Sequence, residues 1–142
     1  MEEMAETKSR KTEKQNQGQR YISILQRDEK PLSLKELRVS TLHFLTKSLT
    51  DESEKYFIRG REVEGKILVH AAAIVERDLG RLLEHEGLPQ VACNNYVSSG
   101  GGFYLAGEGA SAMEMYQEAK RLGANTDQLI KQNSRKLEIQ SV

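Results

Sequence analysis

Apolar residues recur at helical spacing through the middle of the chain, over residues 61–87. On a helix that turns about 100° per residue, one face collects Ile67, Leu68, Ala71, Val75, Leu79 and Leu82. The other side collects small or β-branched residues, namely Gly65, Val69, Ala73 and Gly80. A helix of this kind needs cover on both sides. The pattern therefore predicts a long central helix with a close neighbour on each side.

Two start signals precede the central helix. Residues 33–36 have the Ser-x-x-Glu spacing of a capping box, which predicts a helix over about 34–49. Acidic residues at 51–54 indicate a second start, and the apolar residues 56–58 after them fit either a helical turn or a short strand. We favour a helix that is broken near Gly60.

A strong stop follows the central helix, because Gly87 comes directly before Leu88 and Pro89. Residues 91–107 then change character, since strand-favouring residues flank the polar, glycine-rich segment 98–102. This pattern predicts a β-hairpin with a five-residue loop. Two further helices are expected after it, over about 111–123 and 127–138.

The elements together predict a mainly helical α+β fold, with about four helices around the long central helix and one β-hairpin. No internal repeat is evident. Residues 1–20 are too polar to form a core, so they are expected to be a disordered tail. Residues 21–138 are expected to form a single globular domain, and residues 139–142 a frayed C-terminus.

Charge and cysteine content narrow the function classes. Basic and acidic residues both number 21 in a chain of 142, so no overall charge favours nucleic acid or an anionic membrane. Cys93 is the single cysteine, and no apolar run is long enough for a membrane span. We expect an intracellular protein of the cytoplasm or nucleus, with no membrane partner.

No motif identifies a catalytic, cofactor or metal site. The glycines at 100–102 lack the lysine and Ser/Thr of a phosphate-binding P-loop. Cys93 has no pattern that marks a nucleophile, and His43, His70 and His85 lack metal-ligand spacing. The sequence therefore favours a non-enzymatic protein with no catalytic residues, no cofactor and no bound metal.

The two-sided central helix points to protein–protein interaction. Few other elements are predicted that could cover both of its sides, so a second copy or another protein is expected to do so. Cover from within the chain is the alternative, with the first helix and the hairpin on the two sides. The expected role is that of an adaptor, as a homodimer or as a subunit of a larger complex. The residues predicted to make this contact are Gly65, Val69, Ala73 and Gly80.

Nucleic-acid binding is the alternative. Aromatic residues on a hairpin beside a basic tail can stack on single-stranded bases. The residues predicted for this role are Lys8, Arg10, Lys11, Lys14, Arg20, Tyr96, Phe103 and Tyr104. Against it, residues 91–115 contain no lysine or arginine, so positive charge is missing where the bases would bind.

Overall fold

The computed structural model describes residues 33–140, and all regular secondary structure in that range is α-helical. Five helices follow one another: α1 Leu34–Ile58, α2 Glu62–His85, α3 Pro89–Leu105, α4 Gly109–Arg121 and α5 Asp127–Gln140. The predictions for the tail at 1–20 and for residues 141–142 lie outside the described residues. Within the described range, the predicted α+β class is wrong, because the chain contains no strand there.

The described residues fall into two units, 33–40 and 41–140, which divide within α1. The shorter unit holds the first turns of that helix. The amide of Glu36 donates to Ser33 Oγ at 3.1 Å, and the amide of Leu37 donates to the Ser33 carbonyl at 3.1 Å. Ser33 is therefore the cap that the sequence predicted, because it satisfies an amide with no partner inside the helix.

In the longer unit, α1 continues without a break to Ile58. The predicted second start over 51–54 is not used. Ser53 instead donates its hydroxyl to the Thr50 carbonyl at 2.7 Å, a contact within the helix that leaves it intact. The helix ends just before Gly60, which has φ +74°, and the predicted break at this position is confirmed.

One turn geometry closes each of the first four helices. In each turn a glycine with positive φ donates its amide to the carbonyl three residues back, and the next residue donates to the carbonyl five residues back. This is the Schellman motif. The four glycines are Gly60, Gly87, Gly107 and Gly123. After the first three, the next residue has φ between −114° and −91° and ψ between 65° and 73°, and a new helix follows at once.

The turns after α2, α3 and α4 place consecutive helices side by side and antiparallel. Ser99 of α3 lies against Ala73 of α2, and Cys93 of α3 lies against Ala119 of α4. Asn133 of α5 donates to the Gly109 carbonyl of α4 at 2.8 Å. Helices α2 to α5 therefore form a sequential array in which α3 lies between α2 and α4.

The predicted β-hairpin is the main error, since residues 91–107 belong mostly to helix α3 and its closing turn. The buried residues Ala92, Tyr96, Ser99 and Phe103 are spaced by four, three and four positions, which is a helical period. Strand preference in the sequence was overridden by packing on two sides of the segment.

The glycine-rich segment lies inside α3, where it allows close helix packing. A Cβ atom added at Gly100 would collide with the Tyr116 ring of α4. One added at Gly102 would lie 3.0 Å from Ala73 Cβ of α2. Side chains are therefore excluded by both neighbouring helices, and this gain in packing offsets the low helix propensity of glycine.

Candidate functional site

Helices α2 and α4 run parallel to one another, and charged side chains join them. His70 Nδ1 lies 2.6 Å from a Glu108 carboxylate oxygen, although the approach is not aligned for a hydrogen bond. Further along, Arg81 lies 3.8 Å from Glu114, and Arg121 pairs with Glu84. The residue numbers rise together on the two helices, so these pairs form a row along the α2–α4 contact.

A cleft opens in this row near the C-terminal end of α2. Its volume is about 410 Å³. Its lining residues are Arg81, Glu84, His85, Tyr96, Glu114 and Glu118, and we call this site the charged cleft. Three carboxylates and the Arg81 guanidinium line the cleft, and Arg121 binds two of these carboxylates, so the net charge at the site is negative.

Arg121 holds one wall of the charged cleft in place. Its Nη2 donates to Glu84 Oε2 and to Glu118 Oε2, both at 2.7 Å. Its Nε also donates to Glu118 Oε2, at 3.1 Å. The two carboxylates raise the pKa of Arg121. Because α2 supplies Glu84 and α4 supplies Glu118, the guanidinium bridges the helices and fixes both carboxylates.

Several acceptors in the charged cleft remain open. Glu84 uses both oxygens on Arg121, whereas Glu118 uses only Oε2. Glu114 has an ion pair with Arg81 at 3.8 Å, which is too long for a hydrogen bond. Arg81 is held as loosely on its other side, 3.9 Å from Asp78. Glu114 and the free oxygen of Glu118 can therefore accept hydrogen bonds from a ligand.

Tyr96 forms the inner wall of the charged cleft. Only 2% of its surface is exposed, and its ring packs on α2 at Gly80, where an added Cβ would lie 2.9 Å from a ring carbon. Burial raises the pKa of the Tyr96 hydroxyl, and the carboxylates of Glu84 and Glu118 raise it further. The hydroxyl therefore stays protonated, and it has no hydrogen-bond partner among the described residues.

The four residues predicted for interaction between proteins all lie in the interior of the array. Gly65 packs under the Phe57 ring, 2.9 Å from the position of an added Cβ. Val69 and Ala73 are buried, and Ala73 contacts Gly102. Gly80 lies beneath Tyr96. Close contact occurs at these positions as expected, but its partners are residues of the same chain.

The aromatic residues predicted to bind nucleic acid do not offer a stacking surface. Tyr96 and Phe103 are 2% exposed. The ring of Tyr104 is partly exposed, but Lys136 Nζ lies over it, 3.9 Å from its centroid. Stacking on bases needs an accessible ring face, and the hairpin expected to present these rings is a helix. The basic residues predicted for the same role, at positions 8–20, lie outside the described residues.

Cys93 and the histidines have separate surroundings. Cys93 is buried, and its thiol donates to the Ala119 carbonyl at 3.4 Å, so it packs between α3 and α4. His70 meets Phe103 edge to face, with 5.9 Å between ring centroids. His85 lines the charged cleft. Among residues 33–140, no group of three or more metal-ligating side chains is arranged to hold a metal ion.

Sequence reasoning missed the charged cleft. It assigned no binding role to Glu84, Glu114 or Glu118. One signal was present: Glu114, Glu118 and Arg121 recur at spacings of four and three, which places them on one face of α4. Their partners are far away in the chain, since Glu84 and Arg121 are 37 positions apart.

A second electrostatic feature of α2 lies at Glu76, which is half-buried and has no ion pair or hydrogen bond among the described residues. Loss of hydration raises the pKa of its carboxyl group to about 7. This group therefore makes the stability of the array dependent on pH.

No protein-family model, curated protein or solved structure matches the chain. Across residues 33–140, none of the helices is both long enough and apolar enough to cross a membrane.

Proposed function

We propose that the chain is a non-enzymatic interaction protein that binds a segment of a partner protein in the charged cleft. The observation that carries this proposal is the set of unused polar atoms there. Glu114, one oxygen of Glu118 and the Tyr96 hydroxyl face the cleft without a hydrogen bond from the described residues. A ligand with hydrogen-bond donors can pair with these atoms.

The arrangement supports binding more than catalysis. Cys93 lies outside the residues that line the cleft and contacts Ala119. Two of the lining carboxylates, Glu84 and Glu118, are held in place by Arg121. Preorganised charged groups of this kind give specificity for a ligand, because they are already in place before it binds.

The expected partner is a different protein. The homodimer prediction used the small residues of α2, and these are covered by helices of the same chain. Sedimentation equilibrium at tens of micromolar should give the mass of a monomer. A dimer that persists when the charged cleft is blocked would contradict this part of the proposal.

Peptide selection tests the use of the cleft. The full chain is screened against a phage-displayed library of random linear peptides, and the enriched peptides are tested on two variants. His85→Trp places a bulky side chain on the cleft wall. Lys131→Trp makes the same type of change at an exposed position on α5 that does not line the cleft. Circular dichroism checks that both variants remain folded.

The proposal predicts that enriched peptides bind the parent chain and Lys131→Trp with equal affinity. Their affinity for His85→Trp should be at least tenfold lower, which is about 1.4 kcal/mol. Equal binding to all three proteins would place the binding surface elsewhere and overturn the proposal. Failure to enrich any peptide would also count against it.

A further inference from the structure

We infer that the charged cleft is a subsite for one arginine side chain of the bound partner, with Glu114, Glu118 and Tyr96 as its direct contacts. This inference rests on the proposed function and adds the chemistry of the recognised group. A group of carboxylates does not by itself define a ligand site. The independent observation is Tyr96, a polar side chain with 2% of its surface exposed that lines the cleft and has no hydrogen-bond partner among the described residues.

Charge selects a cation. Three carboxylates line the cleft and Asp78 lies at its edge, 3.9 Å from Arg81. Arg81 and the wall residue Arg121 offset two of these four negative charges. A phosphate or carboxylate ligand would meet this negative field and would have to displace Glu114 from Arg81. A cation gains from the same field, because it replaces the loose contact of Arg81 with direct hydrogen bonds.

Geometry selects a guanidinium over an ammonium. Glu114 and Glu118 are four positions apart on α4, so their side chains start about 5 to 6 Å from one another along the same face. A planar guanidinium has five N–H donors on several edges, so it can reach two separated carboxylates at once. A lysine ammonium is a compact point charge and satisfies one of them well.

The hydroxyl of Tyr96 supplies the third contact. Tyr96, Glu84 and Glu118 line the same cleft, so the Tyr96 side chain lies beside both carboxylates. Its oxygen can accept a guanidinium N–H, while its own proton is donated to the free oxygen of Glu118. Arg121 takes no part in this contact directly, but it positions Glu118 by holding the other carboxylate oxygen.

Arg81 acts as an internal competitor in this arrangement. Its guanidinium occupies the neighbourhood of Glu114 without forming a hydrogen bond. A bound arginine would displace it toward Asp78, where it already has a contact at 3.9 Å. Removing Arg81 should therefore strengthen binding, an outcome that a purely structural role for this residue would not produce.

Three matched peptides test the inference on the full chain. They are the N-acetylated, C-amidated sequences Gly-Gly-Arg-Gly-Gly, Gly-Gly-Lys-Gly-Gly and Gly-Gly-Gln-Gly-Gly. Each is titrated into isotope-labelled protein while backbone amide shifts are followed by NMR. We expect the arginine peptide to move the amides around Tyr96, Glu114 and Glu118, the lysine peptide to bind more weakly, and the glutamine peptide to leave them unchanged.

Variants separate the contacts. Glu114→Gln should lower the affinity for the arginine peptide about tenfold, since a charge-assisted hydrogen bond becomes a neutral one. Tyr96→Phe keeps the buried ring but removes the hydroxyl, so it should lower the affinity for the arginine peptide several-fold. Arg81→Gln should tighten binding. Glu62→Gln, an exposed change outside the cleft, serves as the matched control and should have no effect.

Equal shifts with the arginine and glutamine peptides, or shifts that map outside the cleft, would overturn the arginine subsite. Such a result leaves the proposed function intact if His85→Trp still weakens the binding of the selected peptides at least tenfold. Failure of the proposed function gives a different result: the selected peptides bind His85→Trp as well as they bind the parent chain.

Discussion

Helix α2 makes two contacts that differ in chemistry. Toward α3 it presents small residues, so that Ala73 meets Gly102, and Tyr96 lies flat on Gly80. Toward α4 it presents charged residues, which meet their partners through long side chains and leave a cleft of about 410 Å³. The first interface is closely packed, whereas the second leaves polar groups available for a ligand. One helix therefore serves folding on one side and, in our proposal, binding on the other.

The largest effect is expected where the helices approach most closely. Gly100→Leu should lower the free energy of unfolding by more than about 3 kcal/mol, because its side chain would occupy the space of the Tyr116 ring. The measurement is urea denaturation followed by circular dichroism. Gly101→Leu is the matched control, since nothing lies within 4 Å of a Cβ at that position. It should instead raise helix propensity and stabilise the protein by about 0.5 to 1 kcal/mol. Equal losses in both variants would contradict the proposed role of Gly100.

A pH-dependent effect of intermediate size is expected from Glu76. Its folded-state pKa of about 7 is above the ordinary value of 4.5, so the folded protein binds the extra proton in this window. Stability contributed by this group is therefore present at pH 4.5 and is lost as the pH rises through 7. Because the side chain keeps some contact with water, the change should be on the order of 1 to 3 kcal/mol.

The Glu76→Gln variant isolates this contribution. It should be more stable than the parent chain at pH 8, and the difference should shrink as the pH falls toward 5. Denaturant midpoints measured across that range give the comparison. Parallel curves for the two proteins at every pH would show that Glu76 is hydrated in the folded state, in conflict with its burial.

A smaller effect is expected from the hydrogen bond that crosses the α2–α3 interface. Ser99 donates its hydroxyl to the Ala73 carbonyl at 2.6 Å, and Ser99 is fully buried. Ser99→Ala should cost about 1 kcal/mol, the net value of one neutral hydrogen bond. Thermal denaturation measures it. An increase in stability would mean that close packing alone holds these helices together.

The smallest effect on stability is expected at the charged contact. Arg121→Gln removes the bridge between Glu84 and Glu118, but the arginine side chain is half exposed, and water and salt weaken such pairs. The denaturation midpoint should therefore stay within experimental error of the parent value. A loss as large as that of Ser99→Ala would show that the charged contact also holds the fold, and the contrast between the two sides of α2 would fail.

Local signals predicted several elements well. The cap at Ser33 forms as expected, and the central helix ends at His85, just before Gly87. Glycine followed by proline is a short-range signal, because it depends on backbone conformation at the position itself. Ile67 shows the limit of periodicity, since it shares the predicted apolar face of α2 yet is 62% exposed. Periodicity identifies a face but not the length over which a neighbour covers it.

The failure at residues 91–107 has a specific cause. Tyr96, Phe103 and three consecutive glycines favour strands and turns in isolation. In the folded chain Gly100 and Gly102 are needed inside a helix, where α4 and α2 come too close for side chains. Local preference amounts to about 1 kcal/mol per residue, so packing on two sides outweighs it.

The sequence by itself determined where helices α2, α4 and α5 lie approximately, where α1 begins, and that Gly60 and Gly87 interrupt the chain, because these features depend on residues within one or two helical turns. Only the tertiary structure decided that 89–105 is a helix, that Gly65, Val69, Ala73 and Gly80 are covered by the same chain, and that Glu84 meets Arg121 across 37 positions. The physical reason is that such contacts are made by elements distant in sequence. The charged cleft exists only because three successive antiparallel helices place their side chains around it.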